Sequence, residues 1–286
     1  MRKLLFILPA YLVLIGCGDD AKDLEKENRL LKQQLQQARE DKTEWEGSSL
    51  YPEALSPGFV PRAVPPSPEV QELILAHIRK AKDSGATTLD LRKNQIIDLK
   101  PLEGFTNLRT LSLAHNQISD LKPLAGLTNL EDLNLSGNRP FLSDLTPLSR
   151  LTKLKKLNLS YNQITDLSPL KELTNLKELN LCGNNAISNI TPLAGLTHLV
   201  ELKLVGVYGF SDFNALSPLF GLTNLKELSL SLNHDKIILE KETPSLSPLK
   251  MLTQLKSLYV DDFLDALTHV EKEMLRKALP DCEIRF

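Results

Sequence analysis

Few side chains in this chain are of the kinds that do chemistry. It has cysteines at Cys17, Cys182 and Cys282, and histidines at His77, His115, His198, His234 and His269. A nucleophilic thiol needs a base within hydrogen-bond reach, and a metal needs several donors converging on one point. The histidines are dispersed, without ligand spacing. No HExxH, CxxC, GxSxG or phosphate-binding loop occurs in the sequence. The expectation is therefore no enzymatic reaction, no cofactor and no metal. Cys182 and Cys282 fall in segments too far apart for the short reach of a disulfide. Cys282 is expected in a core.

Cys17 sits in a different setting. Met1-Arg2-Lys3 is basic, and the uncharged run from Leu4 to Ile15 follows. Twelve helical residues span about 18 Å, too short for a bilayer core of about 30 Å, so the run reads as the apolar part of a signal peptide, residues 1–16. Leu14-Ile15-Gly16-Cys17 resembles the bacterial lipobox. That resemblance implies cleavage before Cys17 and lipid attachment to its thiol. It implies a protein of the cell envelope, lipid-anchored to a membrane. Gly18 rather than Asp follows the cysteine, which implies the outer membrane if the source is a diderm bacterium; Asp19 and Asp20 just beyond weaken that step. The other reading is an ordinary secretory signal with an incidental cysteine.

These groups must be held by something, and composition narrows what. Leucine fills 61 of 286 positions, well above ordinary usage, while aromatics are only 5%. A core built from one aliphatic residue suggests a repeated packing unit. The formal net charge of -2 argues against a nucleic-acid partner. After the lipidated end, residues 22–45 contain no Gly or Pro and place Leu24, Leu31, Ala38 and Trp45 seven apart, with Asn28, Leu35 and Lys42 as the second seam. Residues 17–45 thus comprise the lipidated N-terminus and a short coiled-coil helix. A homo-oligomer through residues 22–45 and a solvated monomeric helix both fit that weak seam. Residues 46–67 carry Pro52, Pro57, Pro61, Pro65 and Pro66 and read as an extended linker.

From Ala86 onward the chain is periodic. Leu108, Leu111, Leu113 and Asn116 recur as Leu130, Leu133, Leu135 and Asn138, then at Leu154 and Leu176, with a first copy at Ala86 and degenerate copies at Leu199, Leu225 and Leu255. The L-x-L centre has period two, so it is a short strand with leucines inward. The asparagine can satisfy backbone groups in the turn that leaves the strand. A second half, Asp120-Leu121-Lys122-Pro123-Leu124 and its equivalents, returns the chain along the opposite face. One unit cannot bury its own leucines; stacked units can.

These residues resemble the leucine-rich repeat, and the 22-residue form with its D-x-x-P-L return is most similar to the internalin class of bacterial proteins. The resemblance implies an α/β fold: a right-handed leucine-rich-repeat solenoid with a parallel concave β-sheet. About eight repeats would fill residues 86–266. An N-terminal helical cap is expected over 68–85, from Ser67-Pro68 and the apolar face Val70, Ile74, Ile78 and Ala81. A C-terminal helix–strand cap is expected over 267–286. The immunoglobulin-like module and wall-anchoring signal found in some internalins are not expected here, so the resemblance carries the architecture and not invasion activity.

In such a fold the outward strand residues are the usual contact surface. The candidates are Asp90, Arg92, Asn134, Asn158, Tyr161, Asn180, Lys203 and Tyr259, with Glu178, Glu201 and Glu227 as an acidic row. His115 and Tyr161 are expected near strand ends. The sixth unit replaces the turn asparagine with Val207 and inserts Tyr208 and Phe210, with Phe213 beyond; this aromatic insertion is a contact candidate or a local packing plug. The functional expectation is protein–protein interaction with an unknown partner. The alternatives are glycan or peptidoglycan binding on the concave face, and a structural oligomer through the stalk.

Overall fold

The computed structural model describes residues 63, 65–207, 213–231, 246–261 and 267–286. The signal segment, Cys17, the expected coiled coil over 22–45, nearly all of the linker, Tyr208 and Phe210 lie outside the described residues.

The repeat centres and, last, a segment of the C-terminal cap form strands. They are β1 (Thr88–Asp90), β2 (Thr110–Ser112), β3 (Asp132–Asn134), β4 (Lys156–Asn158), β5 (Glu178–Asn180), β6 (Glu201–Leu204), β7 (Glu227–Ser231), β8 (Ser257–Asp261) and β9 (Glu283–Arg285). All nine lie in one sheet in sequence order, and every neighbouring pair is parallel. Leu89, Leu111, Leu133, Leu157, Leu179, Leu202, Leu228 and Leu258 stand opposite one another along the sheet, so the sequence alignment of the units is also the hydrogen-bond register. The strands are short because each unit must turn before its next polar residue would be buried.

Each return half begins with a tight 3₁₀ turn, as at Lys100–Leu102, Lys122–Leu124 and Ser168–Leu170, with proline near its start. Proline fits there because its missing N–H has no bond to make at a helix start. Asp98, Asp120, Asp144 and Asp166 each accept the backbone N–H two residues on, at 2.8–2.9 Å, and Asn189 does the same in the fifth unit. This use of the aspartate as a turn cap was not read from the sequence, although its constant place two residues before the turn marks it.

One unit shows where the core comes from. Leu111, Leu113, Ile118, Leu121, Leu124, Leu127 and Leu130 are all at most 1% exposed. Each is worth roughly 1.5–3 kcal/mol of transfer free energy, set against the entropy of ordering the chain. A stack has two open ends, and both are covered. Helix α1 (Pro68–Asp83) is capped by Ser67, whose hydroxyl accepts the N–H of Val70, and it buries Ile74, Ile78 and Ala81. Helix α2 (His269–Ala278) starts with a reciprocal Thr268–Glu271 capping box and buries Leu275. Phe286 packs partly buried against the core, under the cations of Lys272 and Arg276.

The turn after each strand is held by a buried asparagine that bonds across two units. Asn116 Oδ1 accepts the N–H groups of Asn94 and Ile96, and its Nδ2 donates to the carbonyls of Leu91 and Leu113. Asn138, Asn162 and Asn184 repeat the arrangement. At the first unit there is no preceding strand, and Asn94 Oδ1 is left buried without a partner. At the sixth, Val207 takes the asparagine's place and is fully buried. There the N–H of Gly206 goes to the Ser231 hydroxyl, where the regular units give the equivalent N–H to a backbone carbonyl of the next strand.

Two predictions follow from these bonds. Asn138→Ala strands two buried carbonyls and an N–H, so it should cost about 3–5 kcal/mol in urea unfolding, against about 1 kcal/mol for Asn94→Ala, whose side chain holds the Arg92 carbonyl of its own unit and no group of a preceding one. Equal losses would remove the ladder from the account. The second concerns acid. Hydrogen bonds from Thr146, and likewise from Ser168, hold the carboxyls of Asp144 and Asp166 below their ordinary value of 3.8. A depressed folded pKa adds stability that is fully present above the unfolded value and is lost as pH falls through the folded one. Thermal melts should therefore show wild type losing stability below pH 3.8 more steeply than the Asp144→Asn, Asp166→Asn double variant, whose amides still accept the same bonds.

Candidate functional site

The strand residues between paired leucines face out of the sheet, and the register lines them up: Asp90, Ser112, Asn134, Asn158, Asn180, Lys203, Ser229 and Tyr259. A depression of about 280 Å³ lies over the middle strands. It is lined by Asp132, Asn134, Lys156, Asn158, Glu178, Asn180, Glu201 and Lys203, among others. The structure thus brings together six of the residues proposed from sequence. Glu227 lies one strand further along, Tyr259 one strand beyond that, and Asp90 with Arg92 at the far end.

The acidic row is not a bare negative stripe. Lys156 pairs with Glu178 at 2.7 Å, and Lys203 pairs with Glu201. Both lysines have their pKa raised chiefly by the hydrogen bond to the paired glutamate. Asp132, half-buried beside them, has its carboxyl pushed up by burial. Glu131 bridges Arg109 and Lys155 at 2.6 and 2.5 Å on an adjacent row. Lys156 and Lys203 therefore each offset a neighbouring glutamate of the acidic row.

The asparagines on this face do a second job. The Oδ1 atoms of Asn134, Asn158 and Asn180 accept the backbone N–H two residues on, each at 3.0 Å. Asp90 does this too, and its other oxygen holds Arg92 Nε at 2.7 Å. Asp90 is consequently only 6% exposed, so this end of the face is presented by Arg92 rather than by the carboxylate. Cys182 carries a thiol whose pKa is raised by burial, which keeps it protonated and unreactive. Both described cysteines are free, and no group of acidic, histidine or cysteine side chains among the described residues could hold a metal. Phe213 opens the 3₁₀ segment Phe213–Gly221.

The sequence matches the family described as Leucine Rich repeats (2 copies) over residues 87–121, 106–150 and 152–195. This is a leucine-rich-repeat solenoid. Internalin C2 from Listeria monocytogenes is 28% identical, with a TM-score of 0.52 over 65% of this chain and 91% of that one. A leucine-rich-repeat protein of Leptospira interrogans is 30% identical, with a TM-score of 0.59 over 73% of this chain and half of that protein. No curated protein matches the sequence. The internalin-like repeat pattern and the solenoid are thereby shared with solved bacterial structures.

Along the rim where the strands of this leucine-rich-repeat sheet end, the residue just before each turn asparagine has a left-handed backbone. These are Lys93, His115, Gly137, Tyr161, Gly183 and, before Val207, Gly206, with φ between 54° and 74°. Left-handed backbone costs a residue with a Cβ about 1–2 kcal/mol, which is why glycine suits the position. His115 and Tyr161 occupy it nonetheless. Tyr161 is 60% exposed, and its ring lies over Gly183, as the His115 ring lies over Gly137. A Cβ at Gly183 would sit 2.7 Å from the Tyr161 ring, and one at Gly137 would sit 2.6 Å from the His115 ring. Sequence reading placed both residues near strand ends. It missed the strain, which the glycines at 137, 183 and 206 could have signalled. Gly183→Ala should destabilise by more than about 1 kcal/mol in denaturant unfolding, because strain and ring contact add. Gly126→Ala, with nothing within 4 Å of the added carbon, should stay within about 0.5 kcal/mol of wild type.

Proposed function

We propose that this protein is a bacterial cell-envelope binding protein, lipid-anchored through Cys17, that captures another protein on its concave face and performs no reaction on it. The observation that supports the reading best is the strip over β3 to β6, where paired lysines and glutamates project from a backbone held rigid by neighbours on both sides. A fixed pattern of charge selects partners by complementarity and excludes those that place like charges opposite it. Nine strands at about 4.8 Å give a sheet roughly 40 Å long. That length accommodates the ~800 Å² per partner of a standard interface. Tyr259, 40% exposed on β8, supplies an aromatic anchor at one end.

On this reading the leader, Cys17 and Gly18 place the protein in the envelope, at the outer membrane in a diderm source. The linker of residues 46–67 would space the solenoid from the membrane. Residues 22–45 would let copies pair. Capture from envelope extracts should lose its specific partner with a Lys156→Glu, Lys203→Glu double variant, while thermal unfolding stays close to wild type, since exposed ion pairs add little. Unchanged capture would remove the concave face from the account. Cys17→Ser should move the protein from the membrane fraction to the soluble one; retention in the membrane fraction would remove the lipid anchor.

A further inference from the structure

We infer that the strand-end rim around His115 and Tyr161 is a binding strip for a neutral, linear oligosaccharide, separate from the protein-binding role of the concave face. The first ground is placement. His115 and Tyr161 are two units apart, and the backbone fixes both: the N–H of His115 donates to Ser136 O and that of Tyr161 to Cys182 O, each at 2.7 Å. Two strand spacings separate the rings by about 10 Å, comparable to two sugar units of an extended β-1,4-linked glycan. The following rim positions, Gly137 and Gly183, are glycines, and the two rings lie over them.

The second ground is the state of the rings. Each rests on a glycine of the next unit, with ring atoms 2.6–3.4 Å from where a Cβ would be. One side of each ring is thus supported by backbone, and the other is left to solvent. The face of an aromatic ring is electron-rich and receives the weakly positive C–H groups of a pyranose face. The turn imposes the left-handed backbone at this position, so the rings are held in place although neither contributes to the leucine core.

The third ground is polarity. Beside the rings, Asn134 and Asn158 have their Oδ1 atoms taken up by the backbone N–H groups of Ser136 and Ser160. That fixes each carboxamide and leaves its Nδ2 donors for hydroxyl or carbonyl oxygens of a ligand. Lys156 is paired with Glu178 and Lys203 with Glu201, so these lysines present little free positive charge to a polyanion. Flat rings at a fixed interval, with oriented amide donors and little net charge, suit a neutral glycan better than a peptide, whose anchors need apolar pockets.

The test is titration calorimetry of the full chain with β-1,4-linked N-acetylglucosamine oligomers, from the disaccharide to the hexasaccharide, and with the glucose hexasaccharide. Binding should strengthen by about tenfold or more between disaccharide and tetrasaccharide, when the ligand first reaches both rings. Tyr161→Gly and His115→Gly should each weaken hexasaccharide binding by about tenfold, while their melting temperatures hold or rise, because glycine relieves the left-handed strain. Tyr161→Phe should keep binding. The concave-face double variant Lys156→Glu, Lys203→Glu should bind the hexasaccharide as wild type does, which separates failure of this strip from failure of the protein-binding surface. No binding of either hexasaccharide, no dependence on oligomer length, or unchanged binding by Tyr161→Gly would each overturn the inference.

Discussion

A chain that turns sharply out of a strand, over a core of leucine, buries carbonyl and N–H groups that cannot reach water. One asparagine amide per unit meets this demand. With an acceptor and two donors it bonds its own strand and the previous one, as Asn116 does with Leu113, Leu91, Asn94 and Ile96. Leucine contacts alone would let units slide; hydrogen bonds of fixed direction set the spacing and register. The irregularities follow from the same demand. Asn94 keeps an orphan acceptor because the unit before it is a helix. Where Val207 stands in the asparagine's place, a buried core contact replaces the amide.

The turn also shapes the surface. To aim the asparagine inward, the residue before it must adopt a left-handed backbone, and so a row of positive φ runs along one rim. Glycine is the low-cost occupant. A tyrosine and a histidine held there become fixed, exposed rings at intervals set by the sheet. On the face itself, strand-end asparagines spend one oxygen on their own backbone and keep their nitrogen for other partners. The backbone role is thus carried by one atom of the side chain.

Charge is organised by the same geometry. Residues that are far apart in the chain come one strand apart in the sheet, so Lys156 meets Glu178. Within a strand, residues two apart share a face, so Lys203 meets Glu201. The result is a patterned, nearly neutral surface on a rigid support, suited to recognition by shape and local complementarity rather than by long-range attraction.

What the residues determined unaided is the repeat. Period two in L-x-L, a constant asparagine and a constant Pro-Leu return dictate strand, turn and coil, because each is a local demand of backbone and burial. The register of all eight repeat strands was legible for the same reason, as were the cap helices from Ser67-Pro68 and Thr268. Only the folded molecule decided how the outward residues are spent. That Glu178 and Glu201 are neutralised by lysines, that Asp90 is covered, and that Tyr161 leans on Gly183 depend on distances between units and on the sign of φ. Those quantities are set by stacking, through contacts between residues twenty or more positions apart, and no local pattern encodes them.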